Sequence, residues 1–163
     1  MNLTQETVKQ FVSYDPYTGV FTRLVSSGGE ASGKALGWQD KNGYMMARVA
    51  GKRVLLHRLA FLYMTGAMPE NEVDHINRDP SSNRWENLRC ASHLQNGKNT
   101  GFRKNNTSGF KGVSFHKGKK RWLASIMVDG KRINLGAFAS PENASVAYQS
   151  AAVKHFGKFA SAA

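Results

Sequence analysis

The sequence predicts an α+β chain of two small domains. The first is built from short strands and helices; the second is a three-stranded antiparallel sheet packed on one helix. Three observations carry this. Residues 122–128 and 132–138 alternate apolar with polar side chains on either side of Asp129-Gly130, a strong hairpin signal, and a capped helical segment follows. A length of 163 residues leaves room for two thin cores. Charge is unevenly divided: residues 1–100 carry 12 Lys+Arg against 9 Asp+Glu, whereas residues 101–163 carry 11 against 2.

From the N-terminus, Thr4 is placed to cap a short helix presenting Val8, Phe11 and Val12. Asp15-Pro16-Tyr17-Thr18-Gly19 is a turn, and a strand is expected around Val20, Phe21 and Thr22. Residues 26–33 form a polar loop. Residues 44–49 and 53–56 pair as a hairpin about Gly51-Lys52, and a helix from His57 to Met64 ends near Gly66. His57 opens that apolar helix and reads as structural. Residues 97–108 contain Asn99-Thr100-Gly101, Arg103-Lys104 and Asn105-Asn106, a linker composition with cations suited to phosphate. The domains are accordingly set at 1–100 and 109–163, joined by a basic linker over 101–108.

In the second domain a strand is expected over 111–116 and a turn at Lys117-Gly118-Lys119-Lys120. Trp122, Ala124, Ile126 and Val128 share one face of the next strand, and Leu123, Ser125 and Met127 the other. Ile133 and Leu135 then oppose Arg132 and Asn134. Ser140 and Pro141 supply an N-cap and a first helical residue. Ala144, Ala147, Tyr148, Ala151, Ala152 and His155 recur at helical spacing until Gly157. Small alanines let this helix lie close to the sheet, with Trp122 and Phe138 in the core. The sheet's other face is left polar and basic, which suits a polyanion. Charge alone is compatible with DNA, RNA or an anionic membrane surface.

The chemistry concentrates earlier, in Asp74-His75, Asn83-Arg84-Trp85-Glu86-Asn87-Leu88-Arg89 and Gln95-Asn96. Hydrolysing a phosphodiester needs an activated water and charge stabilisation on the phosphate and the departing 3′ oxygen. A histidine with an ordinary pKa near ~6.5 accepts the water's proton at neutral pH. Neighbours on an extended strand point to opposite sides, so Asp74 is better suited to a hard divalent ion. The amide oxygen of Asn96 could be a second ligand, and Asn87 could tie the intervening loop so that His75 is aimed.

These residues resemble the HNH endonuclease family, whose ββα-metal motif wraps two strands, a loop and a helix around one ion. The resemblance spans roughly residues 54–100, including His57-Arg58-Leu59-Ala60-Phe61 and Val73-Asp74-His75-Ile76-Asn77, and is greatest to the phage and intron homing branch. It implies His75 as general base, Asn87 as the loop-ordering amide of the catalytic set, and Asp74 and Asn96 as ligands of one Mg²⁺ or Mn²⁺ ion. Arg58 and Arg89 are expected phosphate contacts, as are Arg103 and Lys104 in the linker. The second domain resembles the AP2/ERF DNA-binding domain through Gly109-Phe110-Lys111-Gly112-Val113, Trp122-Leu123-Ala124-Ser125-Ile126 and Leu135-Gly136-Ala137-Phe138. That family lays its sheet in the major groove. The resemblance puts Lys111, His116, Lys119, Lys120, Arg121, Arg132 and Asn134 toward DNA. Ser114, Ser125, Met127 and Asn134 stand where plant members carry Arg and Trp, so no recognition sequence follows.

The expected activity is a homing or mobile-element DNA endonuclease, with double-stranded DNA as partner. A non-catalytic DNA-binding regulator with a degenerate nuclease domain is the alternative. An RNA-binding protein fits the charge but lacks the aromatic platform for single strands. One cysteine, Cys90, excludes a disulfide within the chain, and Cys90-Ala91-Ser92-His93 finds no second ligand pair for zinc. No signal peptide or membrane-spanning apolar run is evident. The expectation is a cytoplasmic protein of a bacterial or phage-infected cell, without small-molecule cofactor, acting as a monomer or dimer.

Overall fold

Thr4 caps helix α1 (Gln5–Phe11), its Oγ1 accepting the Thr7 N–H at 3.2 Å. The computed structural model to which this belongs describes residues 3–27, 29–101 and 105–160. The chain divides into two units, residues 1–93 and 94–163. No helix among the described residues is long and apolar enough to cross a membrane.

In the first unit the helix stops one residue earlier than its apolar spacing suggests. Val12, β-branched, begins strand β1 (Val12–Tyr14), which pairs antiparallel with β2 (Phe21–Arg23). The intervening turn is held by Asp15, whose carboxylate accepts from Tyr17 N at 2.9 Å and Thr18 Oγ1 at 2.8 Å. Those bonds, the Thr18 hydroxyl first, keep its pKa below the usual carboxylate value. A two-residue strand, β3 (Trp38–Gln39), has no signal in the sequence and exists as the edge of a sheet ordered β3-β4-β5, with β4 Met45–Val49 and β5 Lys52–Leu55. The β4–β5 turn lies at Ala50-Gly51, one residue before the expected position, because Lys52 is already paired with Val49. Helix α2 (Leu56–Thr65) ends on Gly66 in the left-handed conformation. Strands β6 (Glu72–His75) and β7 (Leu88–Ala91) form a separate antiparallel pair, with His75 opposite Leu88 and Asp74 opposite Arg89. A single turn, α3 (His93–Asn96), follows, and the boundary between units falls within it. Val8, Phe21, Leu59 and Leu62, all at most 2% exposed, lead the core that α1, α2 and the strands share.

The second unit contains β8 (Val113–His116), β9 (Arg121–Val128) and β10 (Lys131–Phe138), all antiparallel in the order β10-β9-β8, and helix α4 (Pro141–Phe156). Three strands and a helix were expected; two details differ. Strand β8 begins at Val113 rather than Lys111, because Gly112 has φ +71° and bends the chain over α4. A Cβ there would stand 2.1 Å from the Tyr148 ring, so only glycine admits this approach. In β10 a bulge falls between Asn134 and Gly136, leaving Leu135 as the extra residue. Asp129 and Gly130 both have positive φ, as a two-residue hairpin turn requires. Ser140 Oγ accepts from Asn143 N at 3.3 Å to cap α4. The helix buries Ala144, Ser145, Tyr148 and Ala152; His155, expected on that stripe, is exposed, and the neighbouring Phe156 packs against the core instead. Trp122 and Phe138 pack against Val113, Ala124 and Ala144, on the core side of the sheet. Asn106 and Ser108, expected in the linker, are folded into this unit: Asn106 Nδ2 donates to Phe110 O at 2.8 Å and Ser108 Oγ to Val113 O at 2.9 Å. Arg103 and Lys104 lie outside the described residues.

Candidate active site

His75 ends strand β6, and its ring is 5% exposed. Its Nε2 lies 3.3 Å from Asn83 Oδ1. Asn83 itself is buried, and its Nδ2 donates to Ser81 O at 3.3 Å, which fixes the amide with its oxygen toward the ring. An amide oxygen only accepts, so the His75 proton resides on Nε2 and Nδ1 is the basic nitrogen. Burial pushes the His75 pKa below 6.5, outweighing the opposing pull of the Asn83 bond and of the Asp74 and Asp79 charges. The ring is therefore neutral and able to accept a proton at neutral pH.

Two further rings enclose it. His57, on α2, meets His75 edge-on with centroids 5.0 Å apart, and Tyr44 lies 5.5 Å from His57 and 5.9 Å from His75. His57 is 4% exposed, and its buried Nδ1 has no hydrogen-bond partner among the described residues. Burial, then the neighbouring His75 and Arg58, push its pKa down to about 3. A charged imidazole cannot be tolerated there, so His57 is a neutral wall to the site.

The loop between β6 and β7 is tied down from several sides. Asn87 Oδ1 accepts from Asn77 N at 2.9 Å, and its Nδ2 donates to Ser82 O at 2.8 Å. Asp79 accepts from Ser81 N at 2.9 Å and Ser81 Oγ at 2.7 Å, which lowers its pKa. The N-terminal turn supports the same loop: Tyr14 Oη donates to Asn83 O at 2.8 Å, and Trp85 N to Pro16 O at 2.9 Å. Gly19, with φ +76°, makes this seat possible; a Cβ there would fall 2.4 Å from the Asn83 carbonyl carbon. The Trp85 ring packs on Phe61 of α2 at 4.8 Å.

Asp74 is 5% exposed, and its Oδ2 accepts from Arg89 Nε at 2.7 Å and Nη2 at 2.5 Å. Arg89, expected to meet phosphate, is thus tied within the hairpin. Arg58 is similarly engaged, donating to Asn71 O at 3.0 Å and Pro69 O at 2.6 Å. Among the described residues no group of three or more His, Cys, Asp or Glu could cage a metal. A carboxylate such as that of Asp74 is the donor type a hard divalent ion takes, and here it is bound to Arg89. Asn96 belongs to the second unit.

Residues 54–98 match the HNH endonuclease family. The matched HNH segment holds α2, the β6–β7 pair with its loop, and α3. Among curated proteins, Protein 3.8 of Escherichia phage T7 is 37% identical over 62 residues, 38% of this chain and 51% of that protein. The chain thus spans about half the length of this relative. Among solved structures, the HNH homing endonuclease I-HmuI, described for its DNA binding and cleavage, superposes with a TM-score of 0.44 at 20% identity, covering 90% of this chain and 78% of that one.

The remaining expected contacts separate in the second unit. Arg121 and Arg132 are exposed on the sheet face away from α4, where Met127 pairs with Arg132 and His116 with Arg121. Lys119 and Lys120 are exposed in the β8–β9 turn. His116 Nδ1 accepts from Lys119 N at 3.1 Å and organises that turn. Asn134 Oδ1 accepts from Gly136 N at 3.0 Å, so its oxygen serves the bulge. Lys111 Nζ donates to Lys98 O at 2.9 Å and Thr100 O at 2.6 Å, a tie within the unit.

Sequence reasoning named Asn83 in the motif without a role, and missed Tyr44 and Tyr14 entirely. The two asparagines bracketing a short loop were the available signal. It also missed Arg48 and Arg53, exposed and directly opposite each other in the β4–β5 ladder beside Trp38 on the same face. Like charges so placed repel, and a polyanion would relieve them.

Proposed function

We propose that the chain is a DNA endonuclease that hydrolyses a phosphodiester with His75 as general base. One observation carries this reading: a buried, neutral His75 oriented through Nε2 by Asn83, next to the buried carboxylate of Asp74. His75 Nδ1 takes a proton from a water as that oxygen bonds to phosphorus and the bond to the 3′ oxygen breaks. The imidazolium so formed is favoured by the nearby charges of Asp74 and Asp79. Asp74 and Asn96 would hold one Mg²⁺ or Mn²⁺. Such an ion, when bound, neutralises charge on the phosphate and the departing oxygen. Asn87 keeps the loop closed on itself so that Asn83 stays against His75.

Duplex DNA is the proposed partner, held by the basic sheet face of the second unit in the manner of AP2/ERF domains. Arg121 begins β9, and Arg132 of β10 stands opposite Met127 near the other end of that strand, roughly 20 Å away along the strand direction. This spacing suits contacts distributed over several base pairs. The resemblance to the phage and intron branch supports a mobile-element role in a bacterial or phage-infected cytoplasm. With one such site per chain, a monomer nicks one strand, and cutting both takes a second copy or a second event.

Supercoiled plasmid incubated with the purified protein, with and without Mg²⁺, tests the activity. Open circles are expected only with metal and intact His75, and His75→Ala should abolish them while leaving duplex affinity unchanged. Equal nicking by His75→Ala would remove it as the base. Tight duplex binding without any nicking would leave a DNA-binding regulator.

A further inference from the structure

Of the three rings that meet at His75, one carries a polar group that the fold leaves unused. His75 and His57 are 5% and 4% exposed, whereas Tyr44, 5.9 Å from the first and 5.5 Å from the second, is only half-buried. Solvent therefore meets this corner of the site at Tyr44. The Tyr44 hydroxyl makes no hydrogen bond among the described residues. His57 Nδ1 is the one sealed side-chain polar atom without a partner among them, so the Tyr44 oxygen is open to solvent. Tyr14 gives the contrast, its hydroxyl being spent on Asn83 O at 2.8 Å. A phenylalanine ring would pack on the two imidazoles as well as this one does, so packing alone does not call for the hydroxyl.

The ring is also carried on a closed turn. Tyr44 N donates to Asp40 Oδ1 at 2.9 Å, Asp40 N to Tyr44 O at 2.8 Å, and Gly43 N to Asp40 O at 3.1 Å. Gly43 has φ +89°, and a Cβ there would lie 3.0 Å from Pro80 Cγ, so the turn sits against the β6–β7 loop that orients His75. A donor fixed in this way relative to the base costs no reorganisation during reaction.

We propose that Tyr44 contacts the substrate, its hydroxyl donating a hydrogen bond to a non-bridging oxygen of the phosphate that His75 directs water against. This rests on the reading of His75 as general base. The phosphodiester is an anion, so the bond is charge-assisted, and it strengthens as negative charge gathers on those oxygens in the transition state. A neutral donor also leaves His75 its basicity, where a cation at the same place would depress its pKa further.

The test compares wild type, Tyr44→Phe and His75→Ala in the full chain. Four readouts are taken: plasmid nicking with Mg²⁺ across the pH range, duplex affinity, thermal melting, and the NMR signals of ring-labelled tyrosine on adding an oligonucleotide duplex. The Tyr44 signals are assigned by their loss in Tyr44→Phe. Tyr44→Phe is expected to melt like wild type and to nick about 10–100-fold more slowly at every pH, with the pH profile unmoved and affinity falling far less than the rate. Nicking at the wild-type rate would overturn the proposal. So would a slower rate with a displaced pH profile, which would make Tyr44 a neighbour acting through His75. A wild type that binds duplex without nicking would refute the nuclease. The contact would then stand if the Tyr44 signals shift with duplex and Tyr44→Phe weakens affinity, and fall otherwise. A wild type that binds no duplex would sink both.

Discussion

Replacing His57 with phenylalanine should make the protein markedly less sensitive to acid. The imidazole is 4% exposed, its buried Nδ1 has no partner among the described residues, and its pKa is pushed down to about 3 from 6.5. In the unfolded chain the ring gains a proton near its ordinary value; in the folded protein it does not. The unfolded state therefore binds more protons between these values, and stability is lost as pH falls below about 6.5. Each pKa unit corresponds to about 1.4 kcal/mol, so at pH 4.5 this one residue costs about 3 kcal/mol relative to neutral pH. That is a large fraction of the ~5–15 kcal/mol typical of a folded domain. Phenylalanine keeps a ring against His75 and Tyr44 without a titrating nitrogen. Urea unfolding of both proteins at pH 7.5 and 4.5 isolates the effect, because every other titrating group is common to the pair. Wild type should lose about 3 kcal/mol more than His57→Phe on acidification. Equal losses would mean that His57 becomes protonated without penalty, and the account of a sealed, neutral site wall would be wrong.

Gly19→Ala should destabilise the first unit by about 2–4 kcal/mol, combining a left-handed backbone penalty with a clash against the Asn83 backbone. Nicking by the surviving folded fraction should fall as well, since the displaced loop carries the partner of His75; thermal melts with activity on the same samples check both. Arg132→Ala should weaken binding to a preferred duplex by about 1–3 kcal/mol if it reads a base. A uniform loss over all sequences, with the salt slope reduced by about one, would assign Arg132 to phosphate instead.

Much of the local structure was legible because it depends on dihedral preferences and spacing within a few residues. Thr4 and Ser140 cap helices with side-chain oxygens, Asp129-Gly130 adopts the positive φ its hairpin demands, and Gly66 terminates α2. Where local signals were thin, the reading missed. Strand β3 has two residues and exists only because β4 offers it an edge. Gly112 bends the chain before Val113, a consequence of the Tyr148 ring beneath it. The cations separated for the same reason: nothing in the sequence distinguishes Arg58, spent on two carbonyls, from Arg132, exposed on a sheet face.

By itself the sequence determined the residue types of the site, a histidine beside a carboxylate with amides downstream, and the excess of positive charge in the second half. It could do so because those chemistries lie in adjacent letters and in sums over segments. Which nitrogen of His75 is basic was decided by tertiary structure, through Asn83, whose carbonyl is held by a Tyr14 hydroxyl 69 residues away in sequence. So was the neutrality of His57, which comes from being sealed against water by groups drawn from several elements. Partners so distant along the chain meet only when a core packs, and packing, unlike capping or alternation, leaves no periodic trace in the order of residues.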